Sequence, residues 1–216
     1  IQAAIDYVNQ KGGGTVIIRE GTYTINAKIT VPSNILLIGQ GWATILRAKD
    51  SLDKSIIENS DQTNGNTNIF VANLKIDGNG TNQVAGHGIY FIKVTCSHIL
   101  TCQITNCRVA GINIATSSDH NKIKECDVSS AGSDGIYIKA SSFNIVEGNS
   151  IRANKRGIYL DNDTYTNIID NIVINSSAKE GIYLINTSTY NRIIGNESSD
   201  YQATPTQTHG IREYAA

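Results

Sequence analysis

Lys139, Arg156 and Tyr159 are the residues whose types suit proton chemistry beside a carboxylate. A lysine or arginine can neutralise the carboxylate of a uronic acid. A nearby phenol can then take the proton from the adjacent carbon, the step shared by elimination and epimerisation. Around these three stand Tyr90, Tyr137, Tyr183 and Asp161, the candidate ligand contacts together with Tyr159 itself. Each of the four tyrosines sits in a nearly identical string: GIYF at Gly88, GIYI at Gly135, and GIYL at Gly157 and Gly181. Tyrosine offers an apolar ring face and a hydroxyl, which suits a sugar ring. It is also a good strand residue that stacks on its own kind. Both readings fit these residues.

The strings that carry the tyrosines are part of a longer repeat. Gly-Ile recurs at Gly88, Gly111, Gly135, Gly157, Gly181 and Gly210, with spacings of 23, 24, 22, 24 and 29. A second column keeps step through His98, Asn121, Asn144, Asn167 and Asn191, and a third through Cys102, Cys126, Asn149, Asn171 and Asn196. Each unit holds three short β-like runs, such as GIYIKA, NIVE and SIRAN, with no room for a crossover helix. A repeat of about 23 residues with three strands predicts an all-β chain, a three-sheet parallel β-helix.

Strand alternation then sorts the faces. Ile89, Ile112, Ile136, Ile158 and Ile182 point inward, and Tyr90, Asn113, Tyr137, Tyr159, Tyr183 and Arg212 point outward in one column. The next outward column reads Ile92, Ala115, Lys139, Asp161, Ile185 and Tyr214, which predicts an exposed Lys139–Asp161 ion pair. The residues before the glycines are His87, Ala110, Asp134, Arg156, Glu180 and His209. Strict alternation turns them inward, but they follow a turn, and their direction stays open.

The chain has 216 residues and a formal net charge of -1 from 18 basic and 19 acidic side chains, so nothing marks a nucleic-acid or anionic-membrane partner. No apolar run is long enough to span a bilayer. The expected organisation is a single domain over 1–216: a capping helix at 1–11 (Ile1, Ala4, Ile5, Val8), irregular coils at 12–85, and regular coils at 86–216. A missing methionine and a start inside a helix suggest truncation at one or both ends, with any signal segment outside the sequence. Cys96, Cys102, Cys107 and Cys126 fit no zinc spacing and are expected to be buried free thiols, with Cys102 stacked on Cys126.

IQAAIDYVNQKGGGTVIIREGTYTI, LLIGQGWATIL, LKIDGNG and the HGIY…N…N coils together resemble the pectate-lyase-like superfamily of right-handed parallel β-helices, over nearly the whole chain. The resemblance implies an extracellular or surface-associated protein that handles polysaccharide along its first sheet, as a lyase or epimerase of acidic polysaccharide. The alternative it implies is a non-catalytic glycan-binding or structural module such as a phage tail spike, with a homotrimer as the possible assembly. No cofactor is expected; Ca2+ fits the superfamily, but no cluster of acids marks a site. Several catalytic signatures of the superfamily are missing: GHG stands alone at 86–88 without its DD or RIK companions, and no Tyr-Gly-x-Asp-Pro-His stretch occurs. Glycosidase geometry is also unfavourable. Asp134 and Glu180, two rungs apart, lie roughly 9 to 10 Å apart at the backbone, near the upper limit for an inverting pair.

Overall fold

The computed structural model describes residues 1–177 and 179–215 and has the expected architecture. Three parallel sheets of eight strands each wind as successive coils about one axis. One sheet, called here the Gly-Ile sheet, runs through Ile29–Val31, Ile57–Asn59, Ile89–Ile92, Ile112–Ala115, Asp134–Lys139, Arg156–Asp161, Glu180–Asn186 and His209–Ala215. The second sheet begins with Gly14–Ile18 and ends with Arg192–Ile194; the third begins with Gly21–Ile25 and ends with Glu197–Ser199. The helix Gln2–Asn9 lies against the first coil and buries Ile5 completely, covering the apolar end of the stack.

Residues 12–85 contribute to the same three sheets as the later coils. Their irregularity comes from insertions between strands. Ile57 and Ile89 are register partners although 32 positions apart, because the short strand Asn66–Thr67, which pairs with Val94–Thr95 of the next coil, and a 3-10 turn at Gly80–Asn82 intervene. Inside, Ile57, Ile89, Ile112, Ile136, Ile158 and Ile182 stack in register, each fully buried. Burying one such side chain stabilises by about 1.5–3 kcal/mol relative to leaving it exposed.

The repeating glycine has a packing cause. A Cβ on Gly135 would lie 2.6 Å from Ile151 Cγ2 and 2.8 Å from the Gly157 carbonyl oxygen. The same column meets Ile104, Val128, Val173 and Ser198 at the other coils. The corner from third sheet to Gly-Ile sheet is therefore too tight for any side chain.

The polar columns are hydrogen-bonded ladders, and two of their members differ from the sequence expectation. Asn149 Oδ1 accepts from Cys126 N at 2.9 Å, Asn171 Oδ1 from Asn149 N at 3.0 Å, and Asn196 Oδ1 from Asn171 N at 2.9 Å, as the third column predicts. In the second column, His98 and Asn167 are not members. They sit on the outer face of the second sheet, opposite Lys122 and Ile145. Ser97 and Thr166 take their places: Ser97 N donates to Asn121 Oδ1, and Asn144 N to Thr166 Oγ1. A short hydroxyl fills the role of the amide there. Among the thiols, Cys102, Cys107 and Cys126 are buried and free, whereas Cys96 is exposed because it occupies an outward-facing corner.

A fourth column, Ser118, Ser141, Asp163 and Ser188, is buried throughout, and Asp163 is its one carboxylate. Burial pushes the Asp163 carboxyl up to about 7, and the charge of Asp119 adds to this. Thr166 and Thr164 offset the shift only in part, and neither carboxylate oxygen meets a donor in good hydrogen-bond geometry.

Two expectations follow from this packing. Gly135→Ala should lower stability by about 1–3 kcal/mol through overpacking, read as a lower urea midpoint. For Asp163 the folded state keeps a proton that the unfolded chain releases above its ordinary 3.8. Stability should therefore fall as pH rises from that value to about 7, by up to about 1.4 kcal/mol per pH unit from this residue. Asp163→Ser should remove that loss, gaining more over the parent at pH 8 than at pH 5 in urea titrations.

Candidate functional site

On the Gly-Ile sheet the tight glycine corner turns the glycine inward and the preceding residue outward, which resolves the direction that sequence left open. Asp134 and Arg156 are register partners there. The Arg156 guanidinium donates through Nε to Asp134 Oδ1 and through Nη2 to Oδ2 at 3.2 Å. Ser133 Oγ donates a further bond to Asp134 at 3.0 Å. The same device recurs at Glu180, which accepts from Arg212 Nη1 at 3.0 Å, and at Glu58, which accepts from Lys28 Nζ at 2.6 Å. Each acid is buried and each cation covers it from the solvent side.

The tyrosine column lies beside these pairs. Tyr137 and Tyr159 stack with centroids 4.7 Å apart, and Tyr159 and Tyr183 with centroids 5.5 Å apart, both at 11° between planes. The Arg156 guanidinium carbon stands 3.7 Å from the Tyr159 ring centroid. Enclosed by two rings and a cation, Tyr159 is 8% exposed, while Tyr90, Tyr137 and Tyr183 are half-buried. Asn113 separates Tyr90 from the other three. Tyr90 packs instead near His87, with centroids 4.9 Å apart. His87 Nδ1 accepts from Ala110 N at 3.2 Å, so its proton belongs on Nε2; the Asn113 side-chain amide beside it then accepts through Oδ1, the oxygen otherwise left without a donor. Burial lowers the His87 pKa to about 4 despite Asp134 and Glu58, and the ring is neutral at physiological pH.

Asp161 faces outward in sequence pattern but is buried. It does not form the expected ion pair with Lys139. Tyr137 Oη donates to its Oδ2 at 3.0 Å, and the side-chain amides of Asn162 and Asn186 both donate to Oδ1. Neutral donors thus satisfy the carboxylate, and Lys139 extends into solvent without an ion-pair partner among the described residues. Burial also pushes the Tyr137 phenol well up, helped by Asp161, and raises Tyr159 against the opposing charge of Arg156. Of the three residues singled out for proton chemistry, Arg156 and Tyr159 touch, and Lys139 stands in the adjacent column.

Three features of this surface escaped sequence reasoning. Glu58 is the register partner of Tyr90, hidden by the 32-residue coil. The Arg212 pairing joins positions 32 apart in sequence. His120, Phe143, Tyr165 and Tyr190 form a second aromatic stack, whose spacings of 23, 22 and 25 match the repeat and would have disclosed it. Among the described residues no three His, Cys, Asp or Glu side chains converge as a metal cage, and no helix is long and apolar enough to cross a membrane.

Comparison with known proteins places this geometry among relatives. The pre-neck appendage protein of Bacillus phage phi29 is 24% identical over 80% of this chain, which corresponds to 24% of that protein's length. The chain thus spans about a quarter of the length of the phage relatives it matches. Among solved structures, PfbA, a surface adhesin of Streptococcus pneumoniae, superposes with a TM-score of 0.71 at 15% identity, covering 90% of this chain and 57% of that one. The tailspike gp49 of Acinetobacter baumannii bacteriophage Fri1, a capsular polysaccharide depolymerase, gives 0.60 at 13% identity, covering 100% and 58%. At such identities the structures speak for the fold alone. The family described as "Right handed beta helix region" matches residues 33–198, and the chain, with its three parallel sheets and registered columns, belongs to that family.

Proposed function

We propose that this protein is an extracellular or surface-exposed β-helix that interacts with polysaccharide along the outer face of the Gly-Ile sheet, holding the glycan without turning it over. The observation that carries this reading is the fixed state of the face. Arg156 is engaged by Asp134, Tyr159 is covered, and Asp161 is satisfied by neutral donors. What remains accessible is the half-buried rings of Tyr137 and Tyr183 on either side of Tyr159, with Tyr90 beyond Asn113. Such a row loses little side-chain entropy when a sugar chain settles on it. A surface adhesin and a polysaccharide-depolymerising tailspike among the similar folds support the setting, as does the phage appendage protein. Assembly as a homotrimer belongs to the same proposal.

Lyase or epimerase action on an acidic polysaccharide is the second reading, and Lys139 is the observation that favours it. This exposed cation is free to meet a uronate carboxylate beside Tyr159 and Arg156. A phenol whose pKa is raised keeps its proton and is not available as the base, which sets binding ahead of turnover.

The expected result is retention of the wild-type chain in affinity gels containing capsular or uronate polysaccharide, weakened about tenfold or more by Tyr137→Ala or Tyr183→Ala, with no rise in unsaturated-product absorbance. Product formation abolished by Lys139→Ala would replace the binding reading with the lyase one. Absence of retention on every polysaccharide would remove both.

A further inference from the structure

The second aromatic stack stands at the corner where the Gly-Ile sheet leads into the second sheet. His120, Phe143, Tyr165 and Tyr190 all adopt left-handed backbone, with φ of 59°, 58°, 55° and 59°. Bulky residues rarely take that conformation, whereas asparagine tolerates it. Earlier coils place Asn34 and Asn68 at the same corner, where Asn68 Nδ2 donates a 3.0 Å hydrogen bond to Asn34 Oδ1. Four consecutive coils therefore forgo the residue that suits the backbone and install rings instead.

Mutual stacking is one return on that choice, with centroids 5.0, 4.9 and 5.1 Å apart and planes within 15°. Rings in flat face-to-face contact need only about 3.5–4.0 Å. The coil repeat holds these rings further apart than that, and much of each ring stays open: Phe143 is 48% exposed, Tyr165 47% and Tyr190 76%. These rings are far more accessible than Tyr159 on the Gly-Ile sheet.

Charge distinguishes the corner further. Lys122 and Arg192 follow His120 and Tyr190 by two positions, in one outward column of the second sheet roughly 7 Å from the ring column. Neither enters an ion pair among the described residues. On the Gly-Ile face, by contrast, three cations are each closed by a buried acid, and Lys139 alone of the cations named there is unpaired among the described residues.

We propose that this corner is a binding strip for a carboxylated polysaccharide lying parallel to the coil axis, its sugar rings over Phe143, Tyr165 and Tyr190 and its carboxylates toward Lys122 and Arg192. The proposal rests on the polysaccharide reading above but assigns the acidic chain to a different face. Affinity electrophoresis of the full chain in gels containing polygalacturonate, alginate or neutral dextran tests it. Tyr165→Asn and Tyr190→Asn keep a residue suited to the left-handed backbone, and melting temperature reports whether the fold survives. The expected result is a tenfold or greater loss of uronate-polymer binding in both, with the melting temperature maintained. The pair Lys122→Gln and Arg192→Gln should abolish the preference for uronate polymers over dextran and flatten the salt dependence. Unchanged uronate binding in folded Tyr165→Asn and Tyr190→Asn overturns the corner site. If Tyr137→Ala alone loses binding, the Gly-Ile face stands and the corner does not; loss in the corner variants alone gives the reverse. Failure of the parent chain to bind either uronate polymer overturns the corner proposal, and retention on dextran in that case leaves the broader polysaccharide reading intact.

Discussion

The corner between the third sheet and the Gly-Ile sheet is the constraint on which the surface chemistry depends. Backbone and core side chains from successive coils approach there so closely that only hydrogen fits in place of a Cβ. That requirement fixes a glycine in each regular coil, and it also interrupts the two-residue alternation of the strand. The residue ahead of the glycine consequently emerges on the same face as the tyrosine three positions later. Asp134, Arg156 and Glu180 reach the outer face for that reason, and Arg156 comes to lie over Tyr159. A demand of core packing thus determines which charges and rings share a surface.

The same one-coil translation governs the energetics. Each amide in the Asn149, Asn171 and Asn196 column serves the backbone of the neighbouring coil, so the corners carry few unsatisfied groups. A net hydrogen bond of this kind contributes about 0.5–1.5 kcal/mol, while an orphaned buried partner costs about 1–3. Ion pairs obey the same geometry, linking Asp134 to the next coil and Glu180 to the one after its own strand. Their carboxylates are buried and their cations partly exposed, so their main effect is to fix orientation on the face. Asp163 departs from the pattern, a carboxylate in a column of serines.

Much of the fold was legible because a repeat reveals columns directly. Gly-Ile spacing identified the inward isoleucines and the outward tyrosines, and both hold in the structure. Phase was harder to read. Asn167 matches the asparagine column by type yet lies one position out of register, because Thr166 supplies the ladder oxygen. Residue type also misled at Asp161, where alternation gave the face correctly but could not show that Tyr137, Asn162 and Asn186 enclose the carboxylate. Glu58 stayed hidden because insertions lengthen its coil without disturbing its strand pairing. The corner stack repeats with the coils in the sequence too, but its residues lie in turns, where strand alternation carries no information.

Asn113 takes on a particular meaning in this arrangement. A polymer resting on repeating coils meets nearly equivalent contacts after moving by one coil, roughly 4.8 Å. Ladders of identical rings therefore permit sliding, and affinity alone gives such a chain no fixed position. The coil that replaces tyrosine with Asn113, held against neutral His87, breaks that equivalence. The stacked row Tyr137–Tyr183 accordingly starts one coil after Asn113, and its two ends are chemically unlike, an amide at one and Arg212 at the other.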